Sequence, residues 1–138
     1  MLRFKNYTRN SLLMILIFYF TGCSQLTSIN MYSTSEEINL GNRYAFQIEK
    51  QLQLIYDPFI NDYINNLGQR LVRVSKRNNI KYTFKVVNDP AINAFAIPGG
   101  HCYVNLGLID FAETESELAS VIGHEIGHVV GEHGMENM

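Results

Sequence analysis

The stretch "VIGHEIGHVV", Val121–Val130, decides how the rest of the chain is read. It places His124 and His128 four residues apart, with Glu125 directly after the first. Residues at i and i+4 of a helix share a face, their Cβ atoms about 5–6 Å apart. Two imidazoles at that spacing can converge on one zinc ion, each at about 2.0–2.1 Å. Glu125, turned by about 100° from His124, can reach a water on such an ion but is poorly placed to ligate it. A metal lowers the pKa of that water towards about 7, and the carboxylate would serve as general base and then as acid. The alternative is a surface helix carrying two exposed histidines. Random placement of this chain's histidines and glutamates would give His-Glu-x-x-His at a rate of roughly 0.7%. The apolar frame of Val121, Ile122, Ile126, Val129 and Val130 also argues against a solvated face. Metal-assisted hydrolysis is the reading that survives.

The same helix is well signposted. Thr114-x-x-Glu117 predicts a capping box at its start. Leu118, Ile122 and Val129 fall on one stripe and are expected in the core, and Gly131 and Gly134 are expected to end the helix. Gly123 and Gly127 lie inside it, each costing about 1 kcal/mol against alanine. That cost predicts an element, such as a neighbouring helix, packed closely on their backbone.

Upstream, Ile38, Ala45, Ile48, Leu52 and Ile55 recur at helical spacing and predict a helix over Glu36 to Tyr56. Asp57 as N-cap and Pro58 at the first position restart a second helix, which is expected to run to about Arg77. Asn78-Asn79 breaks it. "IKYTFKVV" predicts a strand over Ile80 to Val87, and turns follow at Asn88-Asp89-Pro90 and Pro98-Gly99-Gly100. A second strand is expected from His101 to about Asn105. The basic residues Arg70, Arg73, Lys76, Arg77, Lys81 and Lys85 are read as a solvated helix face and strand edge. No stacking aromatics accompany them, so a nucleic-acid partner is not expected.

At 138 residues the chain has room for one core. A hydrophobic content of 46% with 17% charged residues excludes wholesale disorder. Its first ten residues are cationic, and Leu12 to Phe20 is an apolar run well short of the roughly 20 residues that span a bilayer. Residues 1–22 therefore read as a secretory signal. Phe20-Thr21-Gly22-Cys23 resembles a bacterial lipobox, which implies cleavage before Cys23 and lipidation of its thiol. A general signal peptide with an incidental cysteine is the competing reading, and an uncleaved signal anchor a third. By the same resemblance, Ser24 in place of the aspartate of retained lipoproteins implies the outer membrane on the periplasmic side. Residues 23–35 read as a polar linker. With Cys23 lipidated, Cys102 is the remaining thiol and no internal disulfide is expected.

Two longer motifs, "NAFAIPGGHCYVNLGLI" and "ELASVIGHEIGHVVGEHG", then carry a specific resemblance. From about Glu36 to Met138 the chain resembles metallopeptidase family forty-eight, the HtpX- and BepA-like zinc endopeptidases of the gluzincin type. The resemblance implies an α+β, zincin-like fold, mostly helical with a small sheet. It implies one zinc ion per site held by His124 and His128, Glu125 as catalytic base, and protein or peptide substrates in envelope quality control. It makes the strand after Pro98-Gly99-Gly100 the edge on which a peptide pairs. Gly99, Gly100, His101, Cys102 and Tyr103 are thus substrate-strand candidates. His101 is otherwise read as a plain strand residue, and Cys102 as a small core hydrophobe.

Members of that family take a third ligand, a glutamate, from a later helix. Glu132 lies about 12 Å from His124 along the helix, too far to share its ion. His133 is one residue before the position where metzincins place a third histidine, which is Gly134 here. Residues 36–138 are accordingly expected to be the N-terminal part of a metallopeptidase domain, truncated after the His-Glu-x-x-His helix. The rival expectation is a truncated, catalytically silent lipoprotein that binds unfolded or partner proteins.

Overall fold

A computed structural model describes residues 33–131 of the chain. The expected signal segment, Cys23, Glu132, His133 and Gly134 lie outside the described residues. The elements are α1 (Thr34–Ile48), α2 (Pro58–Arg73), β1 (Thr83–Val87), β2 (Ala94–Ile97), β3 (His101–Asn105), α3 (Leu106–Phe111) and α4 (Glu115–Val130). Among the described residues the fold is α+β: four helices and one three-stranded mixed sheet.

α1 begins two residues before the expected start, because a capping box forms at Ser33. Its hydroxyl accepts from the Glu36 N–H at 3.3 Å, and the Glu36 carboxylate accepts from the Ser33 N–H at 2.8 Å. The last residues of the expected linker therefore belong to this helix. α1 stops at Ile48 instead of Tyr56, and the reason is tertiary. The Ile55 N–H donates to the Val86 carbonyl at 2.9 Å and the Asn88 N–H to the Gln53 carbonyl at 2.7 Å, with Leu54 bridged antiparallel to Val87. Hydrogen bonds along β1 outcompete the helical periodicity of Leu52 and Ile55, whose side chains still reach the core.

α2 starts as expected, with the Asp57 carboxylate accepting from the Ile60 N–H at 3.2 Å and Pro58 in the first turn. It ends at Arg73, four residues early. The sheet order is β1-β3-β2, with β3 parallel to β1 and antiparallel to β2. The first strand starts at Thr83, although Ile80 and Tyr82 ahead of it are buried. β2 was not anticipated at all. β2 and β3 are joined by Pro98-Gly99-Gly100, in which Gly99 and Gly100 have φ of +81° and +90°. Only glycine takes such values without strain.

Side chains alternate across the sheet into two cores. One face puts Phe84, Val86, Ala94, Cys102 and Val104 against Ile64 and Leu67 of α2 and Leu118, Ile122, Ile126 and Val129 of α4. The other puts Val87, Ile97 and Tyr103 against Ala45 of α1, with Phe95 stacked on Tyr103 at 4.9 Å between ring centroids. Among the described residues no helix is long and apolar enough to cross a membrane.

Candidate metal centre

The site is built on α4. Its first turn is fastened to α2 by Glu115, which accepts from Arg70 at 2.5 Å and from the Tyr63 hydroxyl at 3.2 Å. The Thr114 hydroxyl accepts from the Glu117 N–H at 3.3 Å, as the capping signal predicts. The reciprocal half is displaced, since the Glu117 carboxylate takes the N–H of Glu113 and not that of Thr114. The buried stripe of Leu118, Ile122, Ile126 and Val129 then seats the helix on β2, β3 and α2. This leaves His124 and His128 exposed on one face and Glu125 half-buried beside them.

The two Nε2 atoms are 3.0 Å apart, with the rings edge-on at 87°. Two neutral lone pairs at that distance repel unless a proton or a cation lies between them. Two bonds of about 2.0–2.1 Å to one tetrahedral ion would hold the nitrogens about 3.3 Å apart, so a shift of a few tenths of an ångström accommodates zinc. The ligand atoms of His124, Glu125 and His128 all lie within 4.8 Å of one another. A set of two imidazoles with a carboxylate alongside suits zinc. The residues fit the ion.

Glu125 is half-buried. Burial, and after it the Glu125 charge, pushes the Cys102 thiol up to about 12, so Cys102 stays protonated. It is the small core residue expected. His101 stays apart from the histidine pair. Its Nδ1 meets the Thr83 hydroxyl at 3.0 Å and its Nε2 meets the Asn42 side-chain oxygen at 2.9 Å. Burial lowers its pKa below the ordinary histidine value. The Tyr103 hydroxyl donates to Glu49 at 2.8 Å, and its pKa is raised first by burial and then by that bond. Burial would raise Glu49 too, but the bonds from Lys85 at 2.6 Å and from Tyr103 outweigh it and leave its pKa below the usual carboxylate value.

The expected edge strand is corrected by the topology. β3 is the central strand, its backbone paired with β1 on one side and β2 on the other. Gly99 and Gly100 are buried in the preceding turn, and Cys102 and Tyr103 are buried in the sheet. None of Gly99, Gly100, His101, Cys102 and Tyr103 offers an open edge to a peptide. Among the described residues the open edge beside α4 belongs to β2. The Asn105 N–H donates to the Asn93 carbonyl at 3.1 Å. Antiparallel pairs alternate, so Phe95 and Ile97 also bond inward to β3. Ala94 and Ala96 therefore present their N–H and C=O groups outward. Ala96 is in register with Cys102 of the central strand. The sequence signal for β2 was weak: four residues, two of them alanine, between Pro90 and Pro98.

Two further expectations fail. A Cβ added at Gly123 or Gly127 would meet nothing within 4 Å, so among the described residues no element packs on that backbone. Arg77, expected on a solvated face, is buried and paired with Glu37.

A sequence model of peptidase family M48 matches residues 58–138, which include β2, the histidine pair and Glu125. The chain belongs to peptidase family M48. It is similar to the beta-barrel assembly-enhancing protease of Yersinia pestis, 42% identical over 101 residues, covering 73% of this chain and 21% of that protein. The protein of the same name from Escherichia coli K12 is 41% identical over 103 residues, again covering 73% and 21%. The mitochondrial metalloendopeptidase OMA1 of Schizosaccharomyces pombe is 34% identical over 76 residues, covering 55% of this chain and 23% of that protein. The chain thus spans about a fifth of the length of the curated M48 relatives it matches.

Proposed function

We propose that this chain supplies the metal-binding and substrate-pairing part of a zinc-dependent metalloendopeptidase acting on envelope proteins. The observation that carries the reading is the convergence of the His124 and His128 Nε2 atoms on an exposed helix face, with Glu125 beside them. In this reading His124 and His128 hold the ion. Zinc bound there supplies Lewis acidity, which makes a water nucleophilic at neutral pH. Glu125 accepts the proton of the attacking water on a carboxylate oxygen and returns it to the departing amine nitrogen as the peptide bond breaks. The Ala94 and Ala96 N–H and C=O groups pair with the peptide backbone, laying it along β2 as an added strand. Backbone pairing of that kind reads shape and extension more than sequence, which suits unfolded protein substrates.

The test replaces Glu125 by glutamine in a preparation that hydrolyses casein. The amide cannot take the proton, yet neither histidine is removed. Turnover is expected to fall by at least about 10²–10⁴-fold with bound zinc nearly unchanged. Near-normal turnover would remove Glu125 from the mechanism. A zinc-loaded protein without measurable turnover before any substitution would favour a silent, chain-binding role.

An envelope location with lipid at Cys23 belongs to the same proposal. It is supported by the cationic start, the short apolar run and the residues before Cys23, and by the "beta-barrel assembly-enhancing" names of the bacterial relatives. Labelling with a palmitate analogue is expected in the wild type and absent in Cys23→Ser. No label in the wild type would sink the lipid assignment.

A further inference from the structure

Among the described residues, the buried charged side chains are Glu37 and Arg77, forty residues apart in the chain. The guanidinium grips the carboxylate with two nitrogens: Nη1 donates to Oε1 at 3.1 Å, and Nη2 donates to Oε2. Each partner also holds a backbone group from elsewhere. Glu37 Oε1 accepts the Gly99 N–H at 3.1 Å, and Arg77 Nη1 donates to the Val129 carbonyl at 2.9 Å. Gly99 lies two residues past the end of β2, and Val129 directly follows His128. An amide, a carboxylate, a guanidinium and a carbonyl therefore form one chain from the edge strand's turn to the last turn of α4.

A buried ion pair is a poor source of net stability, because desolvation offsets most of the attraction. Apolar side chains could fill the same space. They could not hold an N–H at one end and a C=O at the other. The Val129 carbonyl is among the last four of its helix, which lack partners within the helix, and Arg77 supplies one. The turn is fixed independently as well, since a Cβ on Gly41 of α1 would sit 2.0 Å from the Pro98 carbonyl oxygen. α1 thus clamps one end of the relay, and Arg77 carries the clamp to α4.

We propose that the Glu37–Arg77 pair is a positioning element, setting where the β2 edge ends relative to the His128 end of α4. Glu37 and Arg77 touch neither substrate nor metal. They hold the backbone against which a peptide on β2 is aligned with the histidine pair. This rests on the peptidase reading given above for its functional consequence, and on the hydrogen bonds alone for its structural one.

The experiment uses the full chain with Glu37→Leu and Arg77→Leu together, which leaves no unpaired buried charge, and with Glu37→Gln alone. Amide hydrogen exchange is followed at Gly99 and across the last turn of α4, beside the thermal midpoint, kcat and KM. The double variant leaves the Gly99 N–H and the Val129 carbonyl without these partners. It is therefore expected to melt moderately below the wild type while exchanging faster at those two places than elsewhere. Its kcat is expected to fall at least about tenfold, since small misplacements cost rate steeply, with KM within about threefold. Should the double variant fail to fold, Glu37→Gln is expected to show the same two-site exchange pattern. Unchanged exchange and kcat at equal stability would overturn the proposal. So would faster exchange spread uniformly over the domain, which is the mark of a purely stabilising pair. If the wild type cleaves nothing, as a part of a longer peptidase can, the exchange pattern by itself decides the positioning claim.

Discussion

Glycines mark the contrast between the two ends of this molecule's functional region. At the junction of α1 with the Pro98-Gly99-Gly100 turn, Gly41 has no room for a methyl group: its Cβ would lie 2.0 Å from the Pro98 carbonyl oxygen and 2.7 Å from the carbonyl carbon. On α4, Gly123 and Gly127 have open space where a Cβ would go. Both placements cost conformational entropy on folding. At Gly41 close packing offsets the cost. On α4, among the described residues, nothing does. The lesson is that the turn after β2 is built close-packed, while the histidine helix keeps an open face among the described residues at a thermodynamic cost. Open space around His124 and His128 is what a peptide needs in order to approach an ion held there.

The contrast can be broken most forcefully at its dense end. Gly41→Ala pushes a methyl group into backbone that cannot yield cheaply, and it is expected to destabilise by an amount at the upper end of about 1–3 kcal/mol. Gly127→Ala is expected to do the opposite, stabilising by up to about 1 kcal/mol through helix propensity. Denaturant midpoints of the two variants check both signs together. If Gly127→Ala lowers the midpoint, something outside the described residues fills that face and the contrast collapses.

A smaller effect is expected from pH. The His101 ring, held by Thr83 and Asn42, has its pKa lowered by burial, so the folded state binds a proton less readily than the unfolded chain. The contribution of His101 to stability is then fully present above the ordinary histidine value of about 6.5 and is lost as pH falls below it towards the folded pKa. Unfolding free energies measured from pH 7 to pH 5 should decline over that window. His101→Gln should flatten that decline. An identical slope in the variant would assign the decline to other groups.

What could be read from the sequence follows from the range of the interactions involved. The histidine helix, its buried stripe and the Asp57-Pro58 start of α2 rest on local spacing and caps, and all were legible. The end of α1 was not, because it is set by Gln53 and Ile55 bonding to residues more than thirty positions away. The open sheet edge was misplaced by one strand for a related reason. "HCYVN" reads as the better strand because it is β-branched and aromatic, and those same qualities suit it to the centre of the sheet, leaving the alanine-rich β2 at the edge. Arg77 looked solvated because its partner, Glu37, is forty residues away and nothing local announces it.

Cobalt(II) titration of the protein alongside His124→Ala and His128→Ala tests most directly whether this helix face is a metal site. Both rings are exposed, so neither substitution should alter the unfolding midpoint of the metal-free protein. The wild type is expected to develop a saturable visible absorption from low-coordinate cobalt, and each single variant to lose it. The same spectrum in all three proteins would contradict the assignment of His124 and His128 as the ligands.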